Sequence, residues 1–496
     1  MDKQVDDETA VRGAGEEPGY GAVHVSEEAN LRICRALDRR VLPIVCCLYV
    51  CSYLDRGNIG NAKTAGAQDA LGLDSTQWAW ALNSFYICYV MFVWTTMFWK
   101  IFPAHIYVSV LWGAAAMSSG AARNMAELVV TRCFLGVFEA TFGSGAPYFL
   151  SMLYRRRELG FRMSFLLGTS PLANTFASSL AYGISQIRGS LEPWRLLFII
   201  GTETRPYRHV DLGLTCTQGS LTVLFAPVVY FLLIDSLAKA KFLTSEDRVL
   251  AVERLQLKDS TAKDGVKWKQ VMAGFADYRN YVHSLIHFCA NYSFAALSNF
   301  LPTIVKDMGY DATTAQGLTA PAYFAAFLLC LLASYVSDRF GRRGFVVAGT
   351  AALGAVGYGL LAGIRDENRT GARYAGVWLA ACGVFPALSI NLTWILNNQG
   401  GDSKKGAGLA IFLTLGQCSS FVSSVMFPRG DGPFYTRGCA VGCGLTGLMA
   451  MLALGMHVAL GRENRRRDAL YGPVDPGAEV DVTDEGDSHR NFRYVT

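Results

Sequence analysis

The chain is a series of apolar runs, each roughly twenty residues long and poor in charge, set between short polar breaks. A run of that length crosses the ~30 Å hydrocarbon core of a bilayer as a helix, which satisfies its own backbone hydrogen bonds away from water. A single run would suit the buried helix of a soluble domain. Many in series do not, because too little polar surface remains to cover them. The runs fall at 39–57, 77–98, 104–122, 127–150, 162–184, an interrupted stretch over 194–234, then 281–304, 318–337, 344–363, 373–396, 406–427 and 437–460. Charged residues make up 17% of the chain, where a soluble protein carries about a quarter. The expected fold class is an all-α membrane protein of twelve transmembrane helices in two six-helix halves.

The charges divide the chain further. Residues 1–37 read as a cytoplasmic N-terminal tail, polar and without a signal peptide, and 38–234 as the first bundle. Residues 235–280 read as a charged cytoplasmic linker, 281–460 as the second bundle and 461–496 as a cytoplasmic C-terminal tail. Basic clusters set the orientation. Arg155, Arg156, Arg157 and Arg162 follow the fourth run, Arg339, Arg342 and Arg343 the eighth, Lys404 and Lys405 the tenth, and Arg462, Arg465, Arg466 and Arg467 the twelfth. All four clusters share the side of the linker, which the positive-inside rule makes cytoplasmic. Both termini are then cytoplasmic, and the plasma membrane is the expected location. Asn368-Arg369-Thr370 forms a glycosylation acceptor on the opposite, outer face.

One place breaks the pattern. Trp194–Ile200 and Leu221–Ile234 are apolar, yet a polar insert with several charges occupies 201–218 between them. Joined directly, the two pieces make one helix of about twenty residues. A broken helix at a binding site is one reading, but such breaks are short and rich in small residues. A retained intron in the deduced chain fits better, since a Gly201 codon can hold a GT border and a Gln218 codon an AG border.

Several function classes drop out. The net charge of +5 comes from basic residues beside apolar runs, so nucleic acid is not an expected partner. The 13 cysteines are scattered without metal spacing and read as small hydrophobes rather than a disulfide framework. No GKS or GKT phosphate loop, nucleophile–base pair or cofactor motif is present, so neither an enzyme nor a cofactor protein is expected. His283 and His287 share a helix face, where packed neutral histidines are commoner than a metal pair, and no metal site is expected.

Ionisable residues inside the apolar runs carry the functional signal. Burying such a charge costs about 2.5–3.5 kcal/mol on insertion scales, so these residues face the bundle interior. The first run ends in Tyr53-Leu54-Asp55-Arg56-Gly57-Asn58-Ile59-Gly60-Asn61-Ala62. The fourth holds Arg132 and Glu139, two helical turns apart and on one face. Asp55 and Arg56 are adjacent, so they point roughly 100° apart and cannot serve one ligand in the same way. After the eighth run comes Asp338-Arg339-Phe340-Gly341-Arg342-Arg343, where Gly341 permits a short turn and the arginines can hold helix ends.

That last block resembles the loop signature of the major facilitator superfamily. Together with Trp268-Lys269-Gln270-Val271 and Asn299-Phe300-Leu301-Pro302-Thr303-Ile304, the first-run block is similar to the superfamily's anion:cation symporter branch, nearest to fungal allantoate and nicotinate (vitamin) permeases. The resemblance covers roughly residues 35–470 outside the insert. It implies that Arg56 pairs with a substrate carboxylate, that Asp55 and Glu139 are protonation sites, and that Arg132 balances one of them. It also implies that Tyr53 and Tyr89 line the cavity and that Asp338, Arg339, Gly341, Arg342 and Arg343 act in gating. Asn299 and Gln417 are added as amides able to hydrogen-bond substrate. The first-half counterpart of the gating loop, Phe98–Pro103, lacks the glycine and the acid, and Val93 and Thr95 replace the usual Glu and Pro.

The expectation is a monomeric, proton-coupled importer of a small organic anion, with protons and membrane lipid as its other partners. A non-transporting nutrient sensor on the same scaffold and a metabolite exporter are the alternatives. Proton-linked flux separates the first from the sensor, and the direction of flux separates it from the exporter.

Overall fold

The computed structural model describes residues 26–95, 105–155, 158–184, 240–254, 267–474 and 486–496, with isolated positions between 194 and 237. The insert at 201–218, the sixth run apart from isolated positions, the degraded loop at 98–103, and Arg156 and Arg157 therefore lie outside the described residues. In the first half the helices are α1 (Glu27–Arg40), α2 (Leu42–Thr64), α3 (Ser75–Phe92), α4 (His105–Ser118), α5 (Met125–Leu153) and α6 (Leu159–Ile184). Two short helices, α7 (Ser245–Glu253) and α8 (Trp268–Ala276), lie in the linker region. The second half holds α9 (Tyr278–Lys306), α10 (Ala312–Phe340), α11 (Arg343–Gly363), α12 (Thr370–Asn397), α13 (Asp402–Val425) and α14 (Thr436–Tyr471).

Local sequence explains where these helices start and stop. Asp74 and Gln77 form a reciprocal capping box at the head of α3, and Asn124 and Asp311 cap α5 and α10. Gly341 ends α10 at φ 65°, a left-handed conformation that glycine adopts without a Cβ penalty, and the chain turns at once into α11. The helices α10 to α14 are each long and apolar enough to cross a membrane. By contrast α2 carries Ser52, Asp55, Arg56, Asn58 and Asn61, all buried in the protein interior. Its polarity belongs to the inside of the bundle.

Small residues set the helix spacing. A Cβ on Gly357 would stand 2.3 Å from the Ala380 nitrogen, and one on Gly383 would stand 2.2 Å from that of Gly354, so α11 and α12 touch backbone to backbone. Between the halves, Gly60 of α2 packs on the backbone of Ser298 and Asn299 in α9, and Gly168 of α6 on Phe327 and Cys330 of α10.

The end carrying the basic clusters is tied by ion pairs. Arg162 holds Asp38 through two bonds of 2.6 and 2.7 Å, and the buried Arg254 reaches Asn30, Glu158 and the Leu153 carbonyl. Burial pushes the Glu158 carboxyl up, but Arg254 and the hydrogen bonds around it prevail and hold it below its usual range. Asp338 pairs with Arg343 at 2.9 Å, while Arg339 and Arg342 are exposed. Asn368 is exposed on the turn between α11 and α12, at the opposite end.

Residues 461–471 continue the last helix, and residues 486–496 dock on the second half rather than trailing from it. Asp487, almost fully buried, bridges Arg279 and Lys404 at 2.6 Å each. Trp394 Nε1 donates to the Val495 carbonyl at 2.7 Å, Asn398 and Val495 bond reciprocally, and Arg467 donates to the Asp487 and Phe492 carbonyls. The segment thereby joins the heads of α9 and α13 to the ends of α12 and α14. Removing one partner of a buried ion pair costs about 3–5 kcal/mol, and Lys404 and Arg279 retain Asp277 as a second acid. Asp487→Ala is therefore expected to destabilise the protein by roughly 2–4 kcal/mol, read as a lower melting temperature in detergent. Deleting 486–496 should cost more. Burial raises the Asp277 carboxyl, but Arg279 and Lys404 outweigh it and leave it below the usual carboxylate range. Its contribution is thus complete above that range and fades as pH falls toward the lowered value.

Candidate functional site

Tyr49, Ser52, Tyr53 and Arg56 follow one another along α2 at spacings that place them on one side of the helix. They form one wall of a narrow cavity, with about 40 Å³ of room for the centres of water-sized spheres, that lies between the two halves. Tyr89 of α3 and Gly143 of α5 complete this wall; His287, Asn291, Phe294, Phe412 and Gln417 face it from α9 and α13. Aromatic and leucine side chains dominate the lining, with a few polar groups set among them, as in sites for small organic ligands.

Arg56 is the cation in this wall. Its Nη2 lies 2.7 Å from Glu139 Oε1 and its Nε donates to the same oxygen at 3.0 Å. Ser52 Oγ donates to that oxygen as well, while Glu139 Oε2 has no hydrogen-bond partner among the described residues. Glu139 itself is fully buried behind Arg56. The guanidinium is further enclosed by the rings of Tyr89, Phe85 and Tyr53, whose centroids lie 4.9, 5.4 and 5.5 Å away. Gly136 makes the arrangement possible: a Cβ there would stand 2.4 Å from the Phe85 carbonyl, so only a residue without one lets α5 carry Glu139 so close to α3.

Asp55 points elsewhere, as the helical period requires. It accepts a 2.8 Å hydrogen bond from Trp112 Nε1 of α4, and it lies outside the cavity wall. Arg132 is buried two turns before Glu139 on the same face of α5 and interacts electrostatically with Tyr86, Asp55 and Glu139. Arg56 and Glu139 thus pair at the cavity, with Asp55 and Arg132 as a second acid and base behind them.

Of the residues singled out from sequence, Arg56, Tyr53, Tyr89 and Gln417 come together at the cavity. Asn299 stands apart, at the seam of α2 and α9, where its Nδ2 approaches Tyr86 Oη at 3.4 Å. The block from Asp338 to Arg343 lies at the basic end, away from the cavity. Gln417 accepts from Asn291 Nδ2 at 3.1 Å, which also reaches Ser420 Oγ at 2.9 Å. Tyr49 and Ser52 were within reach of sequence reasoning, because they precede Arg56 by seven and four residues on the same face. Trp112 was not, since nothing local links it to Asp55.

Comparison with known proteins agrees with this architecture. The family model described as Major Facilitator Superfamily matches residues 45–202 and 216–424, and its gap falls within the polar insert. A major facilitator-type transporter (hxnP) of Emericella nidulans is 28% identical, with 97% of both chains covered. The high-affinity nicotinic acid transporter of Saccharomyces cerevisiae is 27% identical, covering 95% of this chain and 86% of that one. Among solved structures, the proton:xylose symporter XylE superposes with a TM-score of 0.64 over 87% of this chain and 96% of its own. At 13% identity that likeness establishes the fold alone.

Proposed function

This chain belongs to the major facilitator superfamily, a multi-pass membrane transporter and not an enzyme, and from that premise we propose that it imports a small organic anion coupled to protons. The Arg56–Glu139 pair carries the reading: a buried cation at the wall of a central cavity, held by a carboxylate that proton uptake would neutralise. A carboxylate substrate and an ionised Glu139 compete for the same guanidinium, because each satisfies it through charge-assisted hydrogen bonds.

The cycle follows from that competition. Outside, where protons are abundant, protonation of Glu139 releases Arg56 to bind the anion. Loading the site lets the halves rock about it, as in transporters built from paired repeats. Inside, Glu139 loses its proton, reclaims Arg56 and expels the anion. Asp55 is the second protonation site, with Arg132 as its counter-charge, and Trp112 holds Asp55 away from Arg56. Asp338, Gly341 and Arg343 shape the turn that closes the cytoplasmic side, with Arg339 and Arg342 exposed beside them. The protein acts as a monomer in the plasma membrane with both termini cytoplasmic and Asn368 glycosylated outside. The 27% identity to a transporter named for nicotinic acid supports a carboxylate substrate.

Uptake of labelled nicotinate, pantothenate, biotin and allantoate tests this reading. Cells expressing the chain without residues 201–218 should accumulate at least one of them faster at acidic than at mildly alkaline external pH, and a protonophore should abolish the difference. Surface-localised protein that moves none of these anions, or moves one with no response to pH, would sink it.

A further inference from the structure

The wall of the cavity opposite Arg56 holds a polar group that the anion reading leaves unused. His287 lines the cavity and is only 4% exposed, yet neither Nδ1 nor Nε2 has a hydrogen-bond partner among the described residues. A neutral imidazole carries one N–H donor and one acceptor nitrogen. Burying both unmatched is unfavourable and uncommon. The histidine one turn earlier is used differently: His283 Nδ1 bonds Asn391 Oδ1 at 2.8 Å, and its ring meets Trp394 edge-on.

Packing, rather than hydrogen bonding, sets the His287 ring. It stacks on Phe412 with centroids 4.1 Å apart and planes 20° from parallel. Gly416, one turn after Phe412 on α13, meets the ring too: a Cβ there would come within 1.9 Å of His287 Cδ2, so only glycine leaves the ring its place. Asn291 follows one turn along the same face of α9 and is committed to α13 through Gln417 and Ser420. His287 is therefore an oriented donor and acceptor at the cavity that no described protein group engages.

We propose that His287 is a substrate-recognition residue: it hydrogen-bonds an uncharged polar group of a molecule whose carboxylate rests on Arg56 across the cavity. This rests on the reading of Arg56 as the anion's ligand. Tyr53, Phe294 and Phe412 supply an apolar, aromatic lining between the two ends. The substrate class is then a small carboxylate with a flat apolar body and a second hydrogen-bonding group, such as a ring nitrogen. A site that hydrogen-bonds a substrate group discriminates against the analogue lacking it, because its own buried polar group is left unpaired.

Two probes of equal charge and nearly equal shape test this, pyridine-3-carboxylate and benzoate, which differ by one ring nitrogen. They would be offered to the full protein in liposomes under an inward acid gradient. The parent protein should take up pyridine-3-carboxylate about tenfold better than benzoate. His287→Phe should bring the two to near parity, chiefly by lowering pyridine-3-carboxylate uptake, and an unaltered melting temperature in detergent shows that the variant is folded. Gly416→Ala, which displaces the ring, should act in the same direction, and His287→Asn should keep part of the preference. An unchanged preference in His287→Phe, an equal fall for both probes, or a parent protein that does not discriminate overturns the role of His287 while Arg56-dependent anion uptake stands. Uptake of other anions but neither probe overturns the substrate class. No Arg56-dependent uptake of any anion overturns the anion reading and this inference with it.

Discussion

Arg56→Ala is expected to reduce anion uptake about 100-fold, since a charge-assisted hydrogen bond to substrate contributes about 1.5–3 kcal/mol. The same change strips Glu139 of its cation while leaving it fully buried, and an uncompensated buried charge costs about 3–5 kcal/mol. Lower activity alone would then confuse lost binding with lost folding. The double variant Arg56→Ala/Glu139→Gln separates them, because a neutral amide in the same place no longer needs a counter-charge. It should recover the melting temperature of the parent protein without recovering uptake. Uptake that returns together with stability would show Arg56 to be a structural clamp rather than an anion ligand.

Glu139→Gln alone has a different signature. Glutamine copies the protonated side chain and keeps an oxygen for Ser52 Oγ, so Arg56 is permanently available to an anion. Exchange of labelled for unlabelled anion across the membrane should persist. Net accumulation should collapse, because one pH unit of gradient supports about tenfold accumulation through one coupled proton, and the variant lacks the carboxyl proposed to couple it. Rates should also become insensitive to external pH between acidic and mildly alkaline values, whereas those of the parent protein should rise in acid. Full proton-driven accumulation by Glu139→Gln would move the coupling site to Asp55, which sits behind the wall with Trp112 as its partner.

Much of this was legible in the chain itself. Run length and the sparseness of charge dictate membrane helices, because the cost of exposed backbone and buried charge in hydrocarbon leaves few alternatives. The period of the helix separates Asp55 from Arg56 and aligns Arg132 with Glu139 before any packing is known. Gly341 marked the turn it makes at φ 65°. These are local properties, fixed by residues within a few positions of one another.

Only the tertiary structure decided who meets whom. The Arg56–Glu139 pair spans 83 residues and the Asp55–Trp112 bond 57, and both depend on how closely α3, α4 and α5 approach α2. Asn299, read from sequence as an amide able to bond substrate, lies in the seam with α2, and the helix crossing brings His287 to the cavity. The charged composition of 461–496 reads as a solvated tail, yet Asp487, Phe492 and Tyr494 are buried because Arg279, Lys404 and Arg467 converge on them from three helices. Hydropathy and periodicity register whether a side chain leaves water. They carry no record of the partner it finds there, since that partner is supplied by folding from a distant part of the chain.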